Sequence, residues 1–192
     1  MTTALLLMDF QNAIAGRPGA SEAVAAARGA LEGARSHRIP VVFVRVAFRE
    51  GLAEVSTRNK AFGALRRSEQ ASAYLETSPA TQIVDALTPL SGEPVVTKRR
   101  VGAFASDLAV VLSGIGATDL VLAGISTSGV VLSTVRDAAD RDFGLTVLAD
   151  ACFDGDPEVH RVLTEKVFPR QAEVTSTAAW LESLGRPAPS AG

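Results

Sequence analysis

The chain has 192 residues, of which 47% are hydrophobic and 21% charged, and its formal net charge is −2 at pH 7. This composition is typical of a folded domain, and we expect one domain over residues 1–184 with a flexible tail over 185–192. The small net charge gives no electrostatic basis for binding nucleic acid. The apolar run Ala4–Met8 is too short to cross a bilayer, and a single cysteine, which cannot form an internal disulfide, predicts a cytoplasmic protein.

Short apolar runs alternate with helical patterns along the chain. Strands are predicted over Ala4–Asp9, Val41–Val46, Pro94–Thr97, Asp119–Ala123, Leu145–Ala149 and Ala172–Val174. Helices are predicted over Ser21–His37, Pro79–Leu87, Ser106–Gly114, Thr127–Arg141, Asp156–Phe168 and Ala178–Leu184. The alternation favours an α/β fold: a three-layer α/β/α, Rossmann-like domain with a mostly parallel sheet of about six strands.

The stretch Ala47–Ser78 interrupts this alternation. A connection of this length in a compact domain is usually a functional lid or a binding loop. A surface excursion packed by its own side chains is the other interpretation, and the sequence leaves both open.

An acid and a base each follow a predicted strand. Asp9 comes after four apolar residues, and Lys98 comes after Val95-Val96-Thr97. Ligands of open parallel sheets bind at the carboxyl ends of the strands, so these side chains are candidates for a site that transfers protons or stabilises an anion. The alternatives are that Asp9 caps the following turn and that the triplet Lys98-Arg99-Arg100 is a solvated basic surface.

The segment Gly124–Val130 is a strand-to-helix turn that begins with glycine. Backbone N–H groups at the start of a helix favour an anionic oxygen. Plain capping of the helix by Ser126, Thr127 or Ser128 is compatible with the same pattern.

Together, the segments Leu5–Gln11, Val95–Arg100 and Leu122–Val130 resemble those of the isochorismatase-like (cysteine hydrolase) family, which uses an Asp, a Lys and a Cys. The resemblance assigns the first two roles to Asp9 and Lys98, and it places Val130 where the family has its cysteine. It also implies a cis bond between Ile125 and Ser126, and assembly into a dimer or tetramer. The resemblance further implies that a substrate oxygen is bound by the turn residues Ile125, Ser126, Thr127, Ser128 and Gly129.

Val130 has no nucleophilic atom, so the resemblance to isochorismatases proper sets the expected reaction. Those members lack the cysteine and use water, with the acid protonating the substrate. We therefore expect a hydrolase that acts on an ether-like or C–N bond of a small polar metabolite, with Asp9 as the acid and Lys98 orienting it. Expected substrate-binding groups are Gln11, Arg49, Asn59 and Arg100. The alternative is an inactive binding or regulatory homologue that keeps the pocket.

Other nucleophiles and cofactors receive little support. Cys152 lies after the next predicted strand and is interpreted as a small buried apolar residue. A serine of the turn, Ser126 or Ser128, is a remaining candidate, although neither His37 nor His160 is an obvious base for it. Two histidines far apart make a poor metal-binding set, so neither a metal nor another cofactor is expected.

Overall fold

The computed structural model describes residues 2–185, and it contains one parallel sheet. The strands are β1 (Thr3–Met8), β2 (Val41–Val46), β3 (Val95–Lys98), β4 (Asp119–Ile125), β5 (Gly144–Phe153) and β6 (Glu173–Thr175). Their order across the sheet is β3-β2-β1-β4-β5-β6, and every neighbouring pair is parallel. The predicted sheet is confirmed, while the predicted tail from residue 186 onward lies outside the described residues.

Helices cover both faces of this sheet, which confirms the three-layer α/β/α architecture. They are α1 (Asn12–Ala15), α2 (Ser21–Ser36), α3 (Lys60–Arg66), α4 (Leu108–Ile115), α5 (Leu132–Ala139), α6 (Pro157–Val162) and α7 (Thr177–Leu184). Helices α2 and α7 pack on one face, and α4, α5 and α6 pack on the other. None of the helices within residues 2–185 has both the length and the apolar character needed to cross a membrane.

Strand β1 is buried on both sides, as its continuous apolar sequence predicts. Leu5 and Leu7 join the core beneath α2, whereas Leu6 and Met8 join the core beneath α4 and α5. These four side chains have no exposed surface, and each contributes about 1.5–3 kcal/mol by leaving water. β1 is therefore anchored at the centre of the sheet, and this fixes the position of Asp9, the residue that follows it.

Gly124 is required where β4 passes β1. A Cβ atom at this position would lie 2.8 Å from the Met8 carbonyl oxygen, which is closer than a real Cβ approaches such an atom. The absence of a side chain lets the two central strands run together to the point where the turn after β4 begins.

Some parts of the chain differ from the predicted elements. Strand β5 continues to Phe153, beyond the predicted end at Ala149, so Cys152 lies within the strand and not after it. The single helix predicted over Pro79–Leu87 is wrong, because two separate turns, Pro79–Thr81 and Asp85–Leu87, are joined by extended backbone at Gln82. Ser78 caps only the first of them. The stretch Ala47–Ser78 contains α3 and two further short helical segments, Glu50–Leu52 and Glu69–Tyr74.

Candidate active site

The carboxyl ends of β1, β3 and β4 meet at one edge of the sheet. Met8 is paired with Gly124 of β4 on one side and with Val44 of β2 on the other. Val46, at the end of β2, is paired with Lys98 of β3. This register places Asp9, Lys98 and the turn after Ile125 at the same edge.

Asp9 and Lys98 form a buried ion pair. The Nζ atom of Lys98 lies 2.9 Å from Oδ2 of Asp9, and the two residues are 2% and 5% exposed. Because β2 separates β1 from β3, the strands carrying the two residues are roughly 9–10 Å apart. The long lysine side chain spans this distance across the end of β2. A second hydrogen bond, from Nζ to the Arg100 carbonyl oxygen at 3.1 Å, holds the ammonium in place.

The environment of Asp9 makes its carboxyl group a good carrier of a proton near neutral pH. Burial raises the pKa of Asp9 to about 6, and the charge of Lys98 only partly opposes this effect. The second carboxyl oxygen, Oδ1, is buried and has no hydrogen-bond partner among residues 2–185. Asp9 therefore has one oxygen held by Lys98 and one free to accept a hydrogen bond.

The turn after β4 is fixed by contacts with the segment after β5. The peptide bond between Ile125 and Ser126 is cis. The next residue, Thr127, is fully buried, and its hydroxyl Oγ1 lies 2.8 Å from Nδ1 of His160. The N–H of Ser128 donates to the Asp154 carboxylate at 2.7 Å. The chain then makes a wide helical turn over Thr127–Val131 before α5 begins.

Val130 brings an apolar side chain to this turn. It is 2% exposed and belongs to the apolar cluster that includes Met8 and Val44. Cys152 lies on β5 opposite Gly124 and is also buried. Burial raises the pKa of the Cys152 thiol to about 12, so this residue is not a ready nucleophile.

The other predicted substrate-binding side chains have partners within the protein. Gln11 is buried, and its amide bonds to backbone groups of Val46 and Thr81. Asn59 accepts a hydrogen bond from the Phe62 N–H and so caps α3.

Two arginines with a predicted binding role are more open to solvent. The Arg49 side chain is 69% exposed and contacts Glu54 at 3.3 Å. Arg100 is exposed, and its guanidinium donates to the Arg99 carbonyl oxygen. Their part in substrate binding stays a prediction, as does that of Gln11 and Asn59.

Sequence reasoning missed Arg99. Its guanidinium donates to the Ala47 carbonyl oxygen and to the Glu76 carboxylate, and its Nε lies 3.5 Å from Glu54. Arg99 thus ties several points of the Ala47–Ser78 segment to the end of β3. The sequence offered one signal for Arg99, its position directly after Lys98. Because successive residues of a strand point in opposite directions, Arg99 is expected to contact different groups from Lys98.

The contact between His160 and Thr127 was also missed. The two residues lie 33 positions apart, and no local pattern connects them. Among residues 2–185, no group of three or more histidine, cysteine, aspartate or glutamate side chains is arranged to hold a metal ion.

Comparison with known proteins identifies the family. The protein-family model for the isochorismatase domain matches residues 3–179 of this chain. The chain belongs to the isochorismatase family. It is 33% identical to an uncharacterized isochorismatase family protein, YecD, of Escherichia coli O157:H7, over 95% of this chain and 96% of that protein.

A named enzyme and a solved structure are similar to the chain over nearly its whole length. The ureidoacrylate amidohydrolase RutB of Methylobacterium radiotolerans is 30% identical, over 97% of this chain and 81% of that protein. An isochorismatase family protein from Burkholderia thailandensis superposes with a TM-score of 0.84 at 27% identity, covering 96% of each chain. The isochorismatase family is one of hydrolases, and this chain has its fold in full.

Proposed function

We propose that the chain is a hydrolase of a small polar metabolite in which water is the nucleophile and Asp9 transfers the proton. The observation that carries this proposal is the buried Asp9 carboxyl group, with one oxygen held 2.9 Å from Lys98 and the other without a partner in the part of the chain that the structure describes. A hydrogen-bond donor that reaches the free oxygen gains a strong, charge-assisted contact. The attacking water and the substrate are the two groups that need such a contact.

Asp9 gives one proton to the scissile group and recovers one from water. The proton goes to the alkene carbon of a vinyl ether or to the leaving nitrogen of an amide. The water oxygen bonds to the carbon that becomes electron-poor, the bond to the leaving group breaks, and the proton released by the water returns to Asp9. Lys98 keeps the carboxyl group oriented throughout the cycle and stabilises its charged form.

The turn after β4 is proposed to bind the substrate oxygen through the backbone of Ile125, Ser126 and Thr127. Ser128 and Gly129, whose N–H groups already donate to Asp154 and to the Ser126 carbonyl oxygen, are proposed to shape the turn. Arg49 and Arg100 are proposed to hold an anionic group of the substrate, because both carry exposed positive charge next to the edge segments. Gln11 and Asn59 complete the proposed set by shaping the pocket. The likeness to an amidohydrolase favours a C–N bond, such as that of a ureido compound.

A covalent intermediate on sulfur is disfavoured. Val130, where the family resemblance places a cysteine, offers no nucleophilic atom. Cys152 is buried with a pKa raised to about 12, which leaves almost no thiolate at neutral pH.

A second candidate function, ligand binding without turnover, is favoured by one observation. Asp9 and Lys98 are 5% and 2% exposed, and Val130 adds apolar surface to the same edge. A regulatory protein that kept the fold and lost its reaction would have these features.

The test is a substrate panel of ureidoacrylate, small amides and imides, and isochorismate, with native protein, Asp9→Asn and Asp137→Asn. Asp137 is a matched control, because it is an aspartate with a 42% exposed side chain that is also paired with a cation, Arg141. Turnover that Asp9→Asn abolishes and Asp137→Asn preserves supports the hydrolase. Turnover unaffected by Asp9→Asn removes Asp9 from the reaction. Absence of turnover, with a ligand-induced rise in melting temperature that Asp9→Asn abolishes, supports the binding protein.

The pH profile identifies which form of Asp9 is active. If protonated Asp9 starts the reaction, kcat/KM falls as the pH rises above about 6, the value to which burial raises the pKa of Asp9. A rate that instead falls below this pH makes the carboxylate the active form and Asp9 a base.

A further inference from the structure

Three side chains within a short stretch after β5 secure the turn after β4. Asp154 accepts the N–H of Ser128 at 2.7 Å, and His160 contacts the hydroxyl of Thr127 at 2.8 Å. Between them, Asp156 caps α6 by accepting the N–H of Glu158 at 2.9 Å. The cap fixes the helix that carries His160, so two consecutive residues of the turn are held by one rigid segment.

The Thr127 side of its contact with His160 is buried, whereas the His160 ring is half-buried. Thr127 has no exposed surface, so its hydroxyl depends on protein groups for hydrogen bonds. The groups around the His160 ring are Thr127, Asp154 and the side chains that line two cavities of about 170 and 350 Å³, which include Cys152 and Glu22. Within this set, only Thr127 makes a hydrogen bond with the ring among the residues that the structure describes.

We propose that His160 is a positioning residue, which fixes the turn after β4 through Thr127 so that the turn's backbone N–H groups stay aligned for the substrate oxygen. The inference rests on the proposed function, because the turn matters for the reaction only if it binds substrate. It explains why the buried hydroxyl of Thr127, in the turn, meets the imidazole of His160 on α6.

The charge state of His160 decides which way this hydrogen bond runs. A neutral ring can accept the Thr127 proton on Nδ1, whereas a protonated ring must donate, and the hydroxyl proton then needs another buried acceptor. Burial lowers the pKa of His160, and the Asp154 carboxylate opposes that effect. The neutral ring is therefore the form that suits both the ring and Thr127 at neutral pH.

The contact can be tested without a substrate by following the histidine ring protons by NMR during a pH titration. Thr127→Val removes the hydroxyl at nearly constant volume and is expected to change the pKa of His160. Thr134→Val is the matched control, because Thr134 is equally buried but its hydroxyl contacts the Ala103 N–H instead. An unchanged His160 titration in Thr127→Val overturns the proposal.

The positioning role is tested by hydrogen exchange and by kinetics. His160→Leu is expected to speed amide exchange over residues 126–131 and to lower kcat about tenfold, with a smaller change in KM, as for the loss of one buried hydrogen bond. His160→Asn keeps a polar atom near the position of Nδ1 and is expected to restore slow exchange and part of kcat. His37→Leu, at the end of α2, is the control for loss of a histidine.

The outcomes separate this inference from the proposed function. Equal exchange over residues 126–131 in native protein and His160→Leu overturns the positioning role, and so does an equal kcat. Full turnover in Asp9→Asn overturns the proposed function instead, and with it the catalytic part of this inference. If no substrate is turned over but His160→Leu still speeds amide exchange over residues 126–131, then His160 fixes the turn in a protein that binds its ligand without reaction.

Discussion

The buried ion pair predicts a specific result in a double-mutant cycle. Asp9→Asn leaves the Lys98 ammonium without its partner at a position that is 2% exposed, and Lys98→Met leaves a buried carboxylate alone. Each single substitution is expected to lower the free energy of unfolding by about 3–5 kcal/mol. The double substitution removes both charges, so it is expected to cost less than either single one.

The pH dependence of stability isolates the contribution of Asp9. Burial raises its pKa from the ordinary value of 3.8 to about 6, so between these values the folded state holds a proton that the unfolded state has released. Stability from this group therefore rises as the pH falls through 6, and the gain is complete below 3.8. Between pH 7 and pH 4.5, the native protein is expected to gain about 2 kcal/mol relative to Asp9→Asn.

The measurement is urea unfolding at several pH values, followed by the fluorescence of Trp180, the only tryptophan and a buried one. Native protein, the two single variants, the double variant and Asp137→Asn are compared. Stability curves of native protein and Asp9→Asn that run parallel from pH 7 to 4.5 contradict the desolvation of Asp9. Single-variant effects that simply add in the double variant contradict the coupling of the pair.

Two further predictions concern residues near the site. Arg99→Gln is expected to speed amide exchange over residues 47–78, because it removes the guanidinium that holds two carboxylates of that segment. Arg100→Gln, at an exposed neighbour, is the control. Equal exchange in the two variants contradicts the prediction. Cys152→Ala is expected to leave turnover unchanged and to lower the free energy of unfolding by about 1 kcal/mol, because it creates a small cavity. In the native protein, Cys152 is expected to resist alkylation by iodoacetamide at pH 8, since burial raises the pKa of its thiol to about 12. Loss of turnover in Cys152→Ala would give the thiol a role in the reaction.

The central sheet and the edge where Asp9 meets Lys98 could be predicted because they depend on short-range patterns. Continuous apolar runs identify buried parallel strands, and β2 has the predicted bounds Val41–Val46. Once the strands are parallel, their carboxyl ends share one edge, so Asp9 and Lys98 follow from position alone. The ion pair then requires only that the Lys98 side chain be long enough to reach Asp9 across the end of β2.

Contacts between distant parts of the chain could not be predicted. The partner of Thr127 is on α6, and its choice depends on how that helix lies against the turn. The same holds for Arg99, whose carboxylate partners come from a segment without a periodic pattern. The single helix predicted over Pro79–Leu87 failed for a local reason, because a capping serine and a proline start a helical turn without ensuring that it continues.

Three unfavourable features coincide at Asp9, and none of them helps the chain to fold. Its backbone is in the left-handed region at φ 60°, which costs a residue with a Cβ roughly 1 kcal/mol or more, although aspartate tolerates it better than most. Its carboxyl group is buried, and Oδ1, which has no hydrogen-bond partner within the described range 2–185, adds a cost of about 1–3 kcal/mol. Glycine would relieve the backbone, and replacing Asp9 and Lys98 together by uncharged residues would remove both buried charges, so stability alone does not require this ion pair.

The proposed role in proton transfer supplies a reason to keep the pair. A carboxyl group whose charge is poorly stabilised in the resting protein gains most when a substrate or a water molecule donates a hydrogen bond to its free oxygen. Lys98 prevents the opposite extreme, a permanently neutral acid, by holding the other oxygen at 2.9 Å. The pair thus keeps both protonation states within reach, which is what a group that first gives and then recovers a proton requires.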